Sequence, residues 1–201
     1  MKTNYMKEQD ALLDKLGGKK PGLLLHCCCG PCACPVFELL QERFEITAFY
    51  FNPNTGPQEE YLKRLSSLKQ LILSAPYSIP LIEGETDSRE FDKLSAGLEA
   101  EKEGGKRCEA CFRLRLEKTA RTAKELGFEY FCTTLTTSPR KDPETINAIG
   151  SELAGRFGVL WLPSDFKKRG GYLRSAEMSE KYGLYRQNYC GCEYSRRPIA
   201  P

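Results

Sequence analysis

The chain has 201 residues with an apolar fraction of 40%, the size of one α/β domain with a core of ordinary extent. No stretch reaches the roughly 20 consecutive apolar residues of a membrane span, and residues 1–20 are polar and charged, unlike a secretory signal. The expectation is a cytoplasmic protein with no membrane partner; a net charge of +3 is too small to imply a nucleic-acid partner by itself.

In chain order, residues 1–20 read as a helical extension, with Leu12, Leu13 and Leu16 on one face before Gly17-Gly18. The remainder, 21–201, reads as a single domain. Gly22 to Leu25 is a buried first strand, followed by the loop Leu25-His26-Cys27-Cys28-Cys29-Gly30-Pro31-Cys32-Ala33-Cys34 and a helix from Val36. Glu45 to Phe51 is a second strand, apolar enough to be covered on both faces. It stops at the turn signal Asn52-Pro53-Asn54-Thr55-Gly56-Pro57. The spacing of Tyr61, Leu65, Leu68, Leu71 and Ile72 predicts a helix over 59–74, and a short third strand follows at 79–82. Residues 87–100 are helical. Gly104-Gly105 opens a loop that brings Cys108 and Cys111 to the start of a longer helix, which Gly127 terminates. A fourth strand is expected at 130–137, a helix from Pro143 to about Phe157, a fifth strand at 159–162 and a helix near 175–182. Strands alternating with helices predict a three-layer α/β/α fold on a mostly parallel sheet.

The ten cysteines are too few for a disulfide scaffold, and a cytosolic chain rarely keeps structural disulfides. They cluster at 27–34, 108/111 and 190/192. Cys-x-x-Cys at a helix start lets two sulfurs reach one metal, and the glycine of Cys190-Gly191-Cys192 permits a tight turn around one. Three clusters point to metal binding. A structural zinc uses four ligands, so the surplus suggests an iron–sulfur cluster plus a further metal, or a cluster plus reactive thiols. Cys132, alone in a strand, reads as a small buried hydrophobe, and Cys27 and Cys34 as spares. The single histidine, His26, either serves the cluster, by hydrogen bond or proton relay, or holds the loop through its ring nitrogens. The window 164–197 is locally basic, with eight Lys or Arg (the last Arg197) against Asp165, Glu177, Glu180 and Glu193.

At these residues the chain resembles the QueH family of epoxyqueuosine reductases. The motifs are His26-x-Cys28-Cys29-x-Pro31-Cys32, Tyr50-x-Asn52-Pro53-Asn54 and Gly104-Gly105-x-Arg107-Cys108-x-x-Cys111. They continue through Thr133-Thr134-Leu135-Thr136-x-Ser138-Pro139, Pro163-Ser164-Asp165-Phe166-Lys167 and Tyr185-Arg186-Gln187-x-Tyr189-Cys190-Gly191-Cys192. The resemblance implies a HUP-like, nucleotide-binding Rossmann-like fold. It also implies reduction of the epoxide of epoxyqueuosine in tRNA to queuosine, the last step of queuosine biosynthesis. The implied cofactors are a [4Fe-4S] cluster and an adjacent iron. The implied ligands are Cys28, Cys29, Cys32, Cys108, Cys111, Cys190 and Cys192, undivided between the two centres except that Cys32 is favoured for the single metal.

Such a reaction needs electrons from a donor that the sequence does not identify, a polarising metal and a proton donor within reach of the oxygen. Asp165, His26, Tyr185 and Tyr189 are the candidates for the proton, Asp165 having the alternative of a helix cap or an ion pair with Lys167 or Lys168. Tyr172, Arg174, Tyr185 and Arg186 are candidates to stack on and hold the anticodon loop, whereas Asn52 and Asn54 read as turn residues. Two rival readings are a cluster-dependent tRNA sulfur-transfer enzyme and a zinc-stapled RNA-binding module. The first conflicts with thiols and Pro31 standing where an ATP-binding loop would lie.

Overall fold

The computed structural model describes residues 3–85 and 87–196; Arg197 of the basic window lies outside them. Five strands, β1 (Gly22–His26), β2 (Glu45–Tyr50), β3 (Leu81–Glu83), β4 (Tyr130–Thr133) and β5 (Leu160–Trp161), form one parallel sheet in the order β3-β2-β1-β4-β5. Leu23 pairs with Ile46 on one side and with Tyr130 on the other, which puts the apolar run of β1 in the middle of the sheet. Leu23, Leu24 and Leu25 are fully buried, as a strand covered on both faces requires.

Helices cover both faces. On one, α2 (Gly30–Leu40) packs on α3 (Gln58–Ser74) and α7 (Gly171–Lys181); on the other, α5 (Lys106–Leu126) packs on α4 (Ser88–Ser95) and α6 (Pro143–Phe157). Gly127 ends α5 at φ +77°, a left-handed cap that glycine adopts without strain. The leading helix α1 (Tyr5–Lys15) joins the same core through Leu13, and its Gln9 amide donates to the Pro163 carbonyl at 2.9 Å. Among the described residues no helix is long and apolar enough to cross a membrane.

The order 3-2-1-4-5 reverses direction between β1 and β4. In open α/β sheets that switch point, beyond the carboxyl ends of the strands, is where ligands bind. Here it is framed by His26 and Thr133, the paired last residues of the two strands.

Two boundaries differ from expectation in ways that matter for the site. Helix α2 starts at Gly30, with Cys29 as its N-cap, so Cys32 and Cys34 stand on the helix rather than in a loop before it. Pro31 explains this, because proline fits a first helical turn without losing a hydrogen bond. Strand β4 stops at Thr133, and residues 134–137, expected to continue it, form a 3₁₀ turn. The Thr133 hydroxyl accepts from the Leu135 N–H at 3.2 Å, a local bond that competes with the ladder.

Gly30 also sets how closely α2 and α3 approach. A Cβ there would lie 2.7 Å from the Ser67 carbonyl oxygen, which is backbone and cannot swing aside. Gly30→Ala is therefore expected to cost about 1–3 kcal/mol, the usual range for overpacking. Urea unfolding of the metal-free protein measures it; an unchanged midpoint would mean that the two helices separate freely.

Candidate metal centre

Three sulfurs meet at the switch point. Cys28, Cys29 and Cys32 have Sγ atoms within 4.8 Å of one another, with Cys28 and Cys29 at 3.8 Å. The spacing comes from the turn between β1 and α2. The Cys28 N–H donates to the Thr134 hydroxyl at 3.2 Å, and that hydroxyl lies 3.5 Å from the Cys28 sulfur. The Thr137 hydroxyl donates to the Cys32 carbonyl at 3.1 Å. The 3₁₀ turn after β4 thus supports the thiol turn after β1. Bonds from the Cys29 and Cys32 thiols hold Cys28 well below the ordinary thiol range, and the same bonds push the two donors upward.

A second group lies alongside. Cys108, on the first turn of α5, accepts from the Gly104 N–H at 3.2 Å, and Cys111 and Cys192 pack together against Phe91. Burial raises the Cys108 thiol and pushes Cys111 up to about 11. Cys190 links the groups. It lines a cavity of about 360 Å³ that Cys28 and Cys32 also line, and a smaller one of about 40 Å³ shared with Cys108. All seven thiols are therefore gathered at one end of the sheet. The three spares stand apart from this: Cys27, Cys34 and Cys132 are fully buried and donate to backbone carbonyls of Leu25, Gly30 and Leu162.

The last pair is held by Arg64 of α3. Its guanidinium donates to the Cys190 carbonyl at 2.9 Å and to that of Tyr189 at 3.1 Å, and it forms a buried ion pair with Glu60 at 2.7 Å. Gly191, at φ +122°, passes so close that a Cβ would sit 2.8 Å from an Arg64 nitrogen.

The charges around the sulfurs suit an anionic centre. Arg115, 2% exposed, has no carboxylate partner among the described residues. It donates to the Cys111 carbonyl at 3.3 Å and to Asn52 Oδ1 at 3.4 Å, and its second Nη is buried without a hydrogen bond. Burial opposes the Arg115 charge, yet the sulfurs of Cys111, Cys190 and Cys28 hold its pKa up. Lys141 shows the same balance, burial against the pull of Cys190, Cys28 and Cys32. Unpaired buried cations are costly unless an anion answers them, and metal-bound thiolates are such anions. The donor set thus fits the thiol-bound centres that the resemblance implies.

Of the remaining sequence candidates, His26, Asp165 and Tyr185 do not line the cavity. His26 is fully buried; its Nδ1 lies 2.8 Å from the Thr133 hydroxyl and its Nε2 3.0 Å from the Phe51 carbonyl. A carbonyl only accepts, so Nε2 carries the proton and Nδ1 accepts from Thr133. Burial holds the ring down to about 4 and hence neutral. Asp165 pairs with Lys167 at 2.8 Å, and Tyr185 donates to Glu60 Oε2 at 2.9 Å. Tyr189 lines the cavity, with its hydroxyl donating to the Gly56 carbonyl at 2.9 Å. Of the candidates for holding RNA, Tyr172 and Arg186 line the cavity, whereas Arg174 is tied to Glu38 and Glu177. Asn52 braces the loop by donating to the Cys27 carbonyl at 3.0 Å, and Asn54 is buried with both amide atoms unpaired.

Sequence reasoning did not single out Arg64, Arg115, Arg140, Lys141 or Gln187, whose amide nitrogen lies 2.9 Å from the Cys29 sulfur. Arg115 had a legible signal, since it follows Cys108 and Cys111 at i+7 and i+4 on one face of α5.

A family model described as epoxyqueuosine reductase QueH matches residues 23–198. Among curated proteins, the epoxyqueuosine reductase QueH of Streptococcus pyogenes serotype M1 is 40% identical over 202 residues, covering 98% of this chain and 79% of that one. That of Staphylococcus epidermidis is 39% identical, covering 96% and 85%, and that of Thermotoga maritima 36% identical, covering 86% and 89%. Among solved structures, the U34-tRNA thiolase NcsA from Methanococcus maripaludis with its [4Fe-4S] cluster aligns at a TM-score of 0.50 and 14% identity, covering 98% of this chain and 67% of that one. A predicted subunit of tRNA methyltransferase from Methanocaldococcus jannaschii aligns at 0.51 and 12% identity, covering 77% and 75%. At such identities these two likenesses concern the fold alone.

Proposed function

Starting from the fact that this chain belongs to the epoxyqueuosine reductase QueH family of oxidoreductases, we propose that its thiol-lined cavity reduces the epoxide of epoxyqueuosine in the anticodon loop of tRNA. The observation that carries the reading is the meeting of thiols from three remote stretches of sequence: Cys28, Cys29 and Cys32 cluster at the switch point, Cys190 shares the cavity wall with Cys28 and Cys32, and Cys108 lies on an adjoining cavity with Cys190. Cys28, Cys29, Cys32, Cys108, Cys111, Cys190 and Cys192 would hold a [4Fe-4S] cluster and an adjacent iron, four sulfurs for the one and three for the other. When bound, these centres supply electrons singly and a Lewis-acidic position.

The protein's own part is to bind, orient and shield. At about 360 Å³ the cavity lies near the lower end of the range for ligand pockets, roughly 300–1,000 Å³. It suits one extruded nucleoside rather than a helix, which is how modified bases in loops are reached. Tyr172 and Arg140, both exposed on its wall, provide a stacking face and a phosphate contact, and Arg186 adds a third. The hydrogen bonds of His26, Asp165 and Tyr185 support a positioning role. His26 fixes the strand ends beneath the thiols, Asp165 fixes Lys167, and Tyr185 fixes Glu60 of the Arg64 pair. A cytoplasmic setting with its tRNA and a low-potential electron donor belongs to the same reading.

Anaerobic purification followed by iron and sulfide analysis tests this directly. The expected result is a brown protein with roughly five irons and four sulfides per chain, which turns over epoxyqueuosine-containing RNA with dithionite. A colourless protein that binds zinc and RNA without turnover would establish the RNA-binding module instead.

A further inference from the structure

The proton needed at the substrate oxygen has no obvious source in His26, Asp165 or Tyr185, since none of them is on the cavity wall. Lys141 is. It stands just before α6, half-buried, on the walls of both cavities, which it shares with Cys28, Cys32 and Cys190. Its backbone is pinned. The Lys141 N–H donates to the Ser138 carbonyl at 3.3 Å, and its own carbonyl accepts from Lys167 Nζ at 3.4 Å, the lysine that Asp165 pairs at 2.8 Å. Its ammonium, by contrast, has no hydrogen-bond or ion-pair partner among the described residues. A fixed main chain carrying an ammonium whose hydrogen bonds no described group takes up is the arrangement of a group held for a ligand.

Of the other charged and hydroxyl groups on the wall, Arg115 and Arg140 keep nitrogens without side-chain partners among the described residues, but a guanidinium holds its proton and cannot act as an acid. Arg64 is spent on Glu60 and two carbonyls, Arg186 donates to Ser175 and Ser179, and the Tyr189 hydroxyl donates to Gly56. Glu103 carries the wrong charge to meet a developing negative oxygen.

We propose that Lys141 is a catalytic residue whose ammonium donates a hydrogen bond, and then a proton, to the epoxide oxygen as its C–O bond opens. The assignment rests on the reductase reading above. In the overall reaction both C–O bonds of the epoxide break, a C=C bond forms and the oxygen leaves as water. That takes two electrons from a low-potential one-electron reductant and two protons. Lys141 delivers one proton and is recharged by solvent, which also supplies the other.

Single-turnover assays on the full-length, anaerobically reconstituted protein test the assignment, with dithionite as reductant and an anticodon stem-loop RNA carrying epoxyqueuosine as substrate. Lys141→Ala and Lys141→Met are expected to slow turnover by about 10²–10⁴-fold, the usual weight of a general acid, with iron, sulfide and RNA affinity within about twofold of the unaltered protein. Lys141→Arg, or ethylamine added to Lys141→Ala, is expected to recover part of the rate, which a merely structural lysine would not allow. Wild-type speed in Lys141→Ala overturns the assignment, as does a loss that tracks missing iron in both variants or that neither arginine nor ethylamine relieves. An inactive wild-type protein with intact iron overturns the reductase reading, and this assignment with it.

Discussion

Replacing Cys108 with alanine is expected to abolish turnover and strip out most of the iron while leaving the chain folded. In the metal-free protein this thiol is half-buried on the first turn of α5, where burial favours its protonated form. Metal binding reverses that preference, because only the thiolate is a ligand and binding releases the proton. Among the described residues its one hydrogen bond is from the Gly104 N–H, so the fold loses little with it. Cys132→Ala provides the contrast. That sulfur is fully buried in β4 and donates to the Leu162 carbonyl at 3.3 Å, so its loss should cost about 1–2 kcal/mol with iron and activity intact. Iron and sulfide analysis beside circular dichroism separates the two outcomes. A Cys108→Ala protein with full iron and full turnover would refute the ligand set.

His26→Leu should cost about 2–5 kcal/mol, since it leaves the Thr133 hydroxyl hydrogen without its acceptor and the Phe51 carbonyl without its donor, both in the interior. The effect should not stop at stability. The ring bridges the ends of β1, β4 and the segment after β2, and the Thr133 hydroxyl that it engages also caps the 3₁₀ turn beneath Cys28. Loosened strand ends would free the thiol turn, so iron content is expected to fall together with the thermal midpoint. If His26 instead acted only in proton relay, its replacement would spare both stability and iron and slow turnover alone.

The sheet was legible because its strands announce themselves. Gly22–Leu25 and Glu45–Phe51 are apolar on both faces, and only a covered parallel strand tolerates that. The end of β4 was not legible, because Thr133–Thr137 has high strand propensity and the deciding contacts, from Cys28 and Ser164, come from elsewhere in the chain. The thiols were conspicuous by their number and spacing. The cations around them were not, because Arg115 and Lys141 look like surface residues until the fold buries the first and half-buries the second beside the sulfurs. Charge density along the sequence misled for a related reason. Arg174, in the basic window, is spent on Glu38, whereas Arg140, outside it, has no side-chain partner among the described residues and faces the cavity.

The hydrogen bonds by which Arg64 grips the final thiol pair are addressed to main-chain oxygens, while its guanidinium also lies over the Tyr189 ring at 5.1 Å. Anchoring and chemistry are consequently written in separate alphabets there. The hydrogen bonds to α3 survive a change of side chain at 189 or 190, whereas residue 191 is confined to glycine by the guanidinium it brushes. Mutational drift in that tail should therefore be closed in length, with composition held at the ligand positions 190 and 192 and at the glycine between them.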